Sequence, residues 1–201
     1  MNIVLGIPTI NRADLLAENL TDVSENLSEI YKLLIVDNGN QSIEIPENLK
    51  EKTTIHRPSS NLGVAGSWNY IIKTSYEDPQ VDNVLILNDD IVLGKPFEKI
   101  KNILQEADPF SVIRGGYFWA VYCLSRNCWE TIGSFDEQFY PAYYEDTDYE
   151  RRIAKAGKVV RIHQGLTPEV KRNSMTIKKD PALNSQFDRN KKLFESKWSK
   201  K

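Results

Sequence analysis

The sequence predicts an α/β fold in which a mostly parallel central sheet is flanked by helices. Three short apolar runs have the character of buried strands, and helical spacing of apolar residues follows each of them. Alternating strands and helices need crossover connections, which place neighbouring strands parallel. A length of 201 residues suits one domain with one sizeable core.

The individual elements follow from apolar spacing and from turn residues. Strands are predicted at residues 2–7, 33–36, 53–56, 84–87, 117–124 and 159–163. The first helix carries Leu15 to Leu27 on one face, with Asn11 as its N-cap and Asp14 in a capping box. Further helices are predicted at 68–76, after Pro96, from Ser125 to Gly133, at 145–156 and after Pro181. Residues 164–179 have no periodicity and are predicted to form a mobile loop.

Composition excludes several classes of protein. The net charge of −2 indicates no general attraction to nucleic acid or to an anionic membrane. No apolar run is long enough to span a bilayer, and the N-terminus has no pattern typical of a secretory signal. Two cysteines, Cys123 and Cys128, are too few for a disulfide framework and are interpreted as reduced thiols. We therefore expect a cytoplasmic protein without a transmembrane segment.

Polar clusters follow the predicted strands, at the places where ligands bind in open α/β sheets. Although far apart in sequence, these clusters should meet at one edge of the sheet. They are Pro8 to Arg12, Asp37 to Gly39, Asn88 to Asp90, and His163.

The acidic pair Asp89 and Asp90 suggests a divalent cation. Two carboxylates at one strand end repel each other unless a cation lies between them. The imidazole of His163 could complete an oxygen-rich site for Mn²⁺ or Mg²⁺. The alternatives are a solvated acidic turn and a structural histidine.

A glycine-bearing segment from Asn61 to Asn69 runs into a predicted helix. Glycine permits close approach of a ligand, and the first backbone N–H groups of a helix can bind anions. The segment has neither the dinucleotide-binding nor the P-loop glycine pattern. A plain helix-entry turn is the alternative.

Three acids, Glu145, Asp146 and Asp148, open another helix, where the helix dipole stabilises carboxylates. An aromatic run at residues 139–144 precedes them. Tyrosines beside carboxylates suit a pocket for a sugar, and one acid could act as a general base. Aromatic packing in a core is the alternative interpretation.

Taken in order, these segments resemble family 2 of the GT-A glycosyltransferases, inverting enzymes that use nucleotide-sugar donors. The resemblance covers residues 2–163 and includes Gly133-Ser134-Phe135-Asp136-Glu137 before Glu145-Asp146. It implies a GT-A fold over residues 1–201, with a nucleotide-binding half at 1–110 and an acceptor half with the C-terminal helix at 111–201.

The resemblance also implies roles for individual residues. The nucleobase and ribose are expected at Pro8, Thr9, Asn11, Arg12, Asp37 and Asn38, with Asn61, Gly66 and Ser67 closing over the nucleotide. Asn88, Asp89 and Asp90 take the place of the family's DxD motif, so Asp90, with His163, is expected to bind Mn²⁺ or Mg²⁺. Asp146, or alternatively Glu145, is the expected general base. The segment from Gly115 to Trp119 is expected near the donor sugar and the acceptor.

One departure from the family pattern concerns Asn88, which replaces the first acid of DxD and removes one charge from the site. The implied partners are a nucleotide-sugar donor, with UDP expected as the nucleotide, and a glycan or glycoprotein acceptor. A narrower resemblance to virus-encoded capsid-glycosylating enzymes, including chlorovirus rhamnosyltransferases, implies the host cytoplasm. Two other functions remain open: a sugar nucleotidyltransferase and an inactive nucleotide- or carbohydrate-binding module.

Overall fold

A computed structural model describes residues 1–107, 112–116, 119–171 and 182–199. The strands are β1 Ile3–Thr9, β2 Lys32–Asp37, β3 Thr53–His56, β4 Asn83–Leu87, β5 Ile91–Val92, β6 Val112–Arg114, β7 Val121–Ser125, β8 Arg161–Ile162 and β9 Val170–Lys171. The α-helices are α1 Ala13–Asn26, α2 Gly63–Tyr76, α3 Phe97–Gln105, α4 Arg126–Ile132, α5 Glu145–Lys155 and α6 Ala182–Trp198. Short 3-10 helices cover Glu47–Lys52 and Gln164–Leu166.

Seven strands form the central sheet in the order β3-β2-β1-β4-β7-β6-β8. Strands β3, β2, β1 and β4 are mutually parallel, and β7 alone runs against its neighbours β4 and β6. Because β6 is antiparallel to β7 and parallel to β8, both β6 and β8 run in the direction of β4. The predicted mostly parallel sheet flanked by helices is confirmed. The carboxyl ends of β1, β2, β4, β6 and β8 therefore all lie at one edge.

Apolar residues pack on both faces of the sheet. Alternate residues of β1, including Leu5 and Ile7, join α1 and α3 in one core cluster, whereas Val4 joins α2 and α5 in the other. Gly6 lies on the α2 side, where an added Cβ would overlap the side chain of Ile71. The close approach of α2 to the sheet therefore requires glycine at this position.

Several predicted boundaries are wrong in detail. The strand predicted at 117–124 begins at Val121, since Trp119 and Ala120 form a turn, and the strand predicted at 159–163 is only Arg161–Ile162. The predicted loop at 164–179 contains a 3-10 turn and β9, which pairs with β5. Its residues 172–179 and the predicted helix start at Asp180 and Pro181 lie outside the described residues.

The predicted N-cap of α1 is also wrong. Arg12 occupies the cap position without a side-chain hydrogen bond, and Asn11 has a left-handed backbone with φ 52°. By contrast, Ser125 caps α4 as predicted, because its Oγ accepts a hydrogen bond from the Cys128 amide at 3.2 Å. Within the described residues, none of the helices combines the length and the apolar character needed to cross a bilayer.

Candidate functional site

The ends of β1 and β2 lie side by side. Thr9 is in register with Asp37, and Pro8 is in register with Val36. The backbone N–H of Asn38 donates to the Thr9 carbonyl at 2.9 Å. Adjacent parallel strands therefore bring the predicted Pro8 and Asp37 segments into contact.

Asp37 organises the turn beyond β2. Its fully buried carboxylate accepts hydrogen bonds from the backbone amides of Gly39 (3.1 Å) and Gln41 (2.9 Å) and from Arg57 Nε (3.1 Å). The Asn11 side chain packs against Gly39, where an added Cβ would overlap its Oδ1. The left-handed backbone of Asn11 thus places its side-chain amide at this turn rather than at the start of α1.

A hydrogen-bonded chain joins this turn to the acidic strand end. Gln41 Nε2 donates to Thr9 Oγ1 at 2.8 Å, and the Thr9 hydroxyl donates to Asp89 Oδ2 at 2.7 Å. Burial raises the pKa of Asp89 to about 7, the charge of Asp90 adds to this effect, and the Thr9 hydrogen bond opposes it. Asp89 is therefore held by protein contacts, and its burial disfavours the charged form.

Helix α1 holds the loop that carries the two aspartates. The buried Asn19 amide donates to the carbonyls of Ile91 (2.8 Å) and Asn88 (3.1 Å). The buried Asp22 carboxylate accepts from the amides of Leu93 (2.9 Å) and Gly94 (3.1 Å). These contacts satisfy backbone groups of the loop and short strand that follow β4.

Arg12 supplies positive charge beside the acids. Its side chain is 5% exposed, and its guanidinium forms a bidentate pair with Asp14 at 2.9 Å and interacts electrostatically with Asp89 and Asp90. Asp90 itself is 9% exposed. Arg12 Nη1 is buried without a hydrogen-bond partner among the described residues. A cation with an unused donor at this edge favours an anionic ligand.

The start of α2 is attached to the turn after β2 by hydrogen bonds. Asn38 Oδ1 accepts from the Leu62 amide at 2.8 Å, and Asn38 Nδ2 donates to Ser67 Oγ at 2.9 Å. Asn61 Oδ1 accepts from the Gly63 amide at 2.8 Å. The prediction that this segment has free backbone N–H groups for an anion is therefore wrong for Gly63, because its N–H already donates to Asn61.

The segment before α5 is held against α2. The Val64 amide donates to the Pro141 carbonyl at 2.7 Å. The Asn69 side chain exchanges hydrogen bonds with the Phe135 backbone (2.8 and 2.9 Å) and donates to Glu137 at 2.7 Å. Gly66 is buried next to Leu62, where an added Cβ would come within 3.0 Å of the Leu62 Cβ. The predicted nucleotide-binding segment thus supports the acidic start of α5.

Glu145 and Asp146 occupy different environments in the first turn of α5. Glu145 is 5% exposed, its Oε2 has no hydrogen-bond partner among the described residues, and burial raises its pKa well above the ordinary value. Burial also raises the pKa of the less buried Asp146, but its Oδ1 accepts from the Thr147 amide (2.6 Å) and hydroxyl (3.1 Å). Hydrogen bonds of this kind stabilise the charged form, so the Asp146 carboxyl ionises more readily than that of Glu145.

This difference predicts the effect of Glu145→Gln on stability. Burial raises the pKa of Glu145 in the folded state above its value in the unfolded chain. The Glu145 carboxyl therefore contributes to the free energy of unfolding below its unfolded pKa, and this contribution is lost as pH rises through its folded pKa. Glu145→Gln should therefore unfold at a Tm close to wild type at pH 5 and several degrees higher at pH 8, since about 1 kcal/mol shifts Tm by about 2–4 °C at this size.

Thermal scans at both pH values test this expectation. Glu130→Gln, at an exposed position on α4, is the matched control and should show no such trend. A Glu145→Gln protein whose Tm difference from wild type is the same at pH 5 and pH 8 would contradict it.

A second connection joins α5 to the acidic strand end. The backbone N–H of Asn88 donates to the Ala120 carbonyl at 2.9 Å. The side chain of the neighbouring Trp119 donates through Nε1 to Glu150 Oε1 at 2.7 Å. Arg114 Nε lies 3.1 Å from the same Glu150 oxygen. The Glu150 charge contributes to the raised pKa of Asp146. Of the segment predicted near donor and acceptor, Tyr117 and Phe118 lie outside the described residues.

His163 lies at the same sheet edge but in another position. Its amide donates to the Arg114 carbonyl at 3.0 Å, and its exposed ring accepts the Gly165 N–H at Nδ1 (3.0 Å). Strand β8 is three strands from β4, about 14 Å at the usual strand spacing. Within the described residues, no group of three or more His, Cys, Asp or Glu side chains could hold a metal ion. Ligation by His163 therefore stays a prediction.

The sequence model described as glycosyl transferase family 2 matches residues 5–145, most of the chain and all of the strand ends described above except those of β8 and β9. The chain belongs to glycosyl transferase family 2. Residues 146–201 of this family 2 chain, including Asp146, His163 and α6, lie beyond the match.

Two solved glycosyltransferase structures share the fold of this family 2 chain. A mannosyltransferase from Pyrobaculum calidifontis, in complex with GDP-Man and Mn²⁺, superposes with a TM-score of 0.67 at 14% identity, covering 87% of this chain and 58% of that one. TarS from S. aureus gives 0.64 at 14% identity, covering 84% and 36%. At this identity the likeness concerns the GT-A fold, which confirms the expected architecture.

A curated relative matches over a shorter stretch. A galactofuranosyl glycosyltransferase from Leishmania donovani is 42% identical over 64 residues, which is 31% of this chain. The chain covers 14% of that relative's length and 36–58% of the length of the two matched structures.

The acidic strand end of this family 2 chain fits a cation that is shared with a diphosphate. Mg²⁺ and similar ions are often held by one or two carboxylates together with substrate phosphates. Asp89 and Asp90 supply two carboxylates, and the unused donor of Arg12 can meet a phosphate oxygen. A cage built from protein groups alone is not present within the described parts of the chain.

Residues that support the site were not predicted from the sequence. Gln41 and Arg57 contact Thr9 and Asp37, and Asn19 and Asp22 hold the loop after β4. The available signal was weak: Asn19 and Asp22 are polar residues beside apolar positions of α1 that turn out to be buried.

Proposed function

We propose that this chain transfers a sugar from a nucleotide diphosphate donor to a hydroxyl group of a glycan or glycoprotein acceptor, with inversion at the anomeric carbon. Family 2 membership supports glycosyl transfer, and the parallel strand ends that meet at one edge support a single donor site there. The observation that carries the proposal is the pair of connections that ties this edge to the acidic turn of α5. One runs through Val64 and Pro141, the other through Asn88, Trp119 and Glu150.

The donor is proposed to lie along the ends of β1, β2 and β4. Asp37, with Arg57 beside it, would face the nucleobase and ribose, and Arg12 would meet the diphosphate. We infer a UDP-sugar, whereas the P. calidifontis enzyme is described with GDP-Man. Asp90, assisted by Asp89, would hold Mn²⁺ or Mg²⁺, with His163 proposed as the further ligand. When bound, the cation would offset the negative charge of the leaving diphosphate.

Asp146 is proposed to act as the general base. Its carboxylate would take the proton of the acceptor hydroxyl while that oxygen forms a bond to the anomeric carbon and the bond from that carbon to the diphosphate oxygen breaks. Attack opposite the leaving group inverts the configuration. Glu145 is the alternative base, but its deeper burial raises its pKa and disfavours the charged form that a base needs.

Nucleotide-dependent thermal stabilisation tests the proposed donor site. We expect UDP or a UDP-sugar with Mn²⁺ to raise Tm by about 5–10 °C when the ligand is present at about 100 times its Kd. The screen should compare UDP-, GDP- and dTDP-sugars with and without EDTA, followed by an assay for release of the nucleotide diphosphate.

The outcomes of this screen separate the candidate functions. Stabilisation with release of a nucleoside diphosphate supports sugar transfer. Stabilisation without any turnover indicates a binding module, and release of pyrophosphate from a nucleoside triphosphate and a sugar phosphate indicates a nucleotidyltransferase. If no nucleotide changes Tm in the presence of Mn²⁺, the donor site itself is disproved.

A further inference from the structure

The residues directly before Glu145 have an unusual backbone. Tyr143 and Tyr144 both adopt left-handed conformations, with φ of 77° and 73°. Side chains other than glycine rarely adopt this region, and two such residues in succession persist only when surrounding contacts hold them. The direction in which α5 begins, and with it the placement of Asp146, depends on those contacts.

Helix α6 supplies a polar contact to this segment. Asn190 is fully buried, and its Nδ2 donates to the Ala142 carbonyl at 2.8 Å, with longer contacts to the carbonyls of Tyr143 (3.3 Å) and Tyr140 (3.4 Å). Its Oδ1 is buried without a hydrogen-bond partner among the described residues. The side chain is therefore oriented by donation to backbone oxygens in residues 140–143.

Aromatic rings of α6 hold the same segment from the side. The Phe187 ring lies 5.2 Å from the Tyr143 ring and 5.3 Å from the Tyr144 ring, measured between centroids. The Phe194 ring lies 5.4 Å from that of Tyr144. Both left-handed tyrosines thus pack directly against α6.

A third contact lies on the other side of Asp146. The buried Asp148 carboxylate accepts from Trp198 Nε1 at 2.9 Å, pairs with Lys197 at 2.8 Å, and pairs with Arg152 at 3.0 Å. Helix α6 therefore contacts the chain both before and after Asp146. Such a double attachment limits how far the first turn of α5 can move.

We propose that Asn190 is a positioning residue for sugar transfer, which sets the direction of Asp146 by holding the backbone of residues 140–143. This proposal rests on the proposed function, because it assumes that Asp146 acts on the acceptor hydroxyl. Asn190 itself is fully buried and donates to the backbone of residues 140–143, so we expect it to act through that segment rather than on the substrate. Its loss should therefore change turnover without changing the binding of the nucleotide.

The test compares Asn190→Ala with Lys191→Ala in the full chain. Lys191 is the exposed neighbour on α6 and serves as the matched control. Three quantities are measured: kcat and KM with the nucleotide sugar that gives turnover, the Kd of UDP with Mn²⁺ by calorimetry, and the titration midpoint of Asp146 by NMR of carboxyl-labelled protein. The Asp146 signal is assigned by its absence in Asp146→Asn.

For Asn190→Ala we expect kcat to fall about 10- to 100-fold, since a base displaced by about 1 Å can cost that much. The Kd of UDP should not change, and the midpoint of Asp146 should fall towards that of an ordinary aspartate as the turn becomes more exposed. Lys191→Ala should leave all three quantities as in the wild type. Unchanged kcat and midpoint in folded Asn190→Ala, or an equal loss of UDP affinity, would overturn the proposal.

A second variant covers the case in which Asn190→Ala does not fold. Phe187 is 40% exposed and contacts both left-handed tyrosines, so Phe187→Ala should fold and shift kcat and the Asp146 midpoint in the same direction. If the wild type turns over no nucleotide sugar, the proposed function fails. The Asp146 midpoint in the variants then still decides whether α6 sets the environment of that carboxylate.

Discussion

Asp146→Asn is expected to lower kcat for sugar transfer by about 10²- to 10⁴-fold, the usual contribution of a general base. An amide of the same shape cannot accept the proton of the acceptor hydroxyl. Nucleotide binding should remain, because Thr9, Asp37 and the strand-end aspartates are untouched. Steady-state transfer rates, measured together with the Kd of UDP and Mn²⁺, provide the test.

The pH dependence of the wild type gives an independent check on the base. Asp146 acts only when deprotonated, and its pKa is raised chiefly by burial. We therefore expect kcat to rise with pH through a midpoint above that of an ordinary aspartate and to fall as pH drops below it. Full transfer activity in Asp146→Asn, or a collapse of activity in Glu145→Gln alone, would assign the base to another residue.

Asp90→Asn is the second variant with a large expected effect. Removal of one carboxylate weakens binding of the cation beside the diphosphate. A bound cation stabilises the charge of the transition state by several kcal/mol, and this stabilisation would be lost. We expect kcat to fall by about two orders of magnitude or more, because each 1.36 kcal/mol is a factor of about ten. The Mn²⁺-dependent thermal stabilisation by UDP should disappear as well, and circular dichroism should match the wild type.

A substitution in the opposite direction provides the matched comparison for Asp90→Asn. Asn88→Asp adds the carboxylate that the family pattern has at this position, so less Mn²⁺ should be needed for half-maximal activity. The hydrogen bond from the backbone N–H of residue 88 to the Ala120 carbonyl involves only backbone atoms and should persist. An Asp90→Asn protein with wild-type activity and an unchanged response to Mn²⁺ would remove the cation role from Asp90.

The strand ends were predictable because their signal is local. Apolar runs at Ile3 to Ile7 and at Val84 to Leu87 stop at polar residues, and parallel strands then carry those residues to one edge. The family resemblance rested on the same segments, and its family and fold are confirmed. Ser125 and Gly133 at the two ends of α4 were also predictable, since capping depends on a few neighbouring residues.

Asn11 shows where local reasoning fails. A capping box with Asp14 suits the sequence, but Asp14 pairs with Arg12 and Asn11 packs against Gly39. The contact with the turn after β2 forms in place of the cap, and a surface capping bond contributes only about 1 kcal/mol. The same limit applies to His163, whose strand-end position was predictable but whose distance from Asp90 depends on the order of strands in the sheet.

By itself, the sequence determined the family, the longer strands and helices in their order along the chain, and the acids available for catalysis, since these depend on residues close together along the chain. The short strands β5, β6 and β9 were not predicted. Only the tertiary structure decided how those acids differ. Burial separates Glu145 from Asp146, a hydroxyl from β1 holds Asp89, and α6 reaches back across about fifty residues to support residues 140–143. Desolvation and long-range hydrogen bonds arise only when distant segments pack together, so no local sequence pattern predicts them.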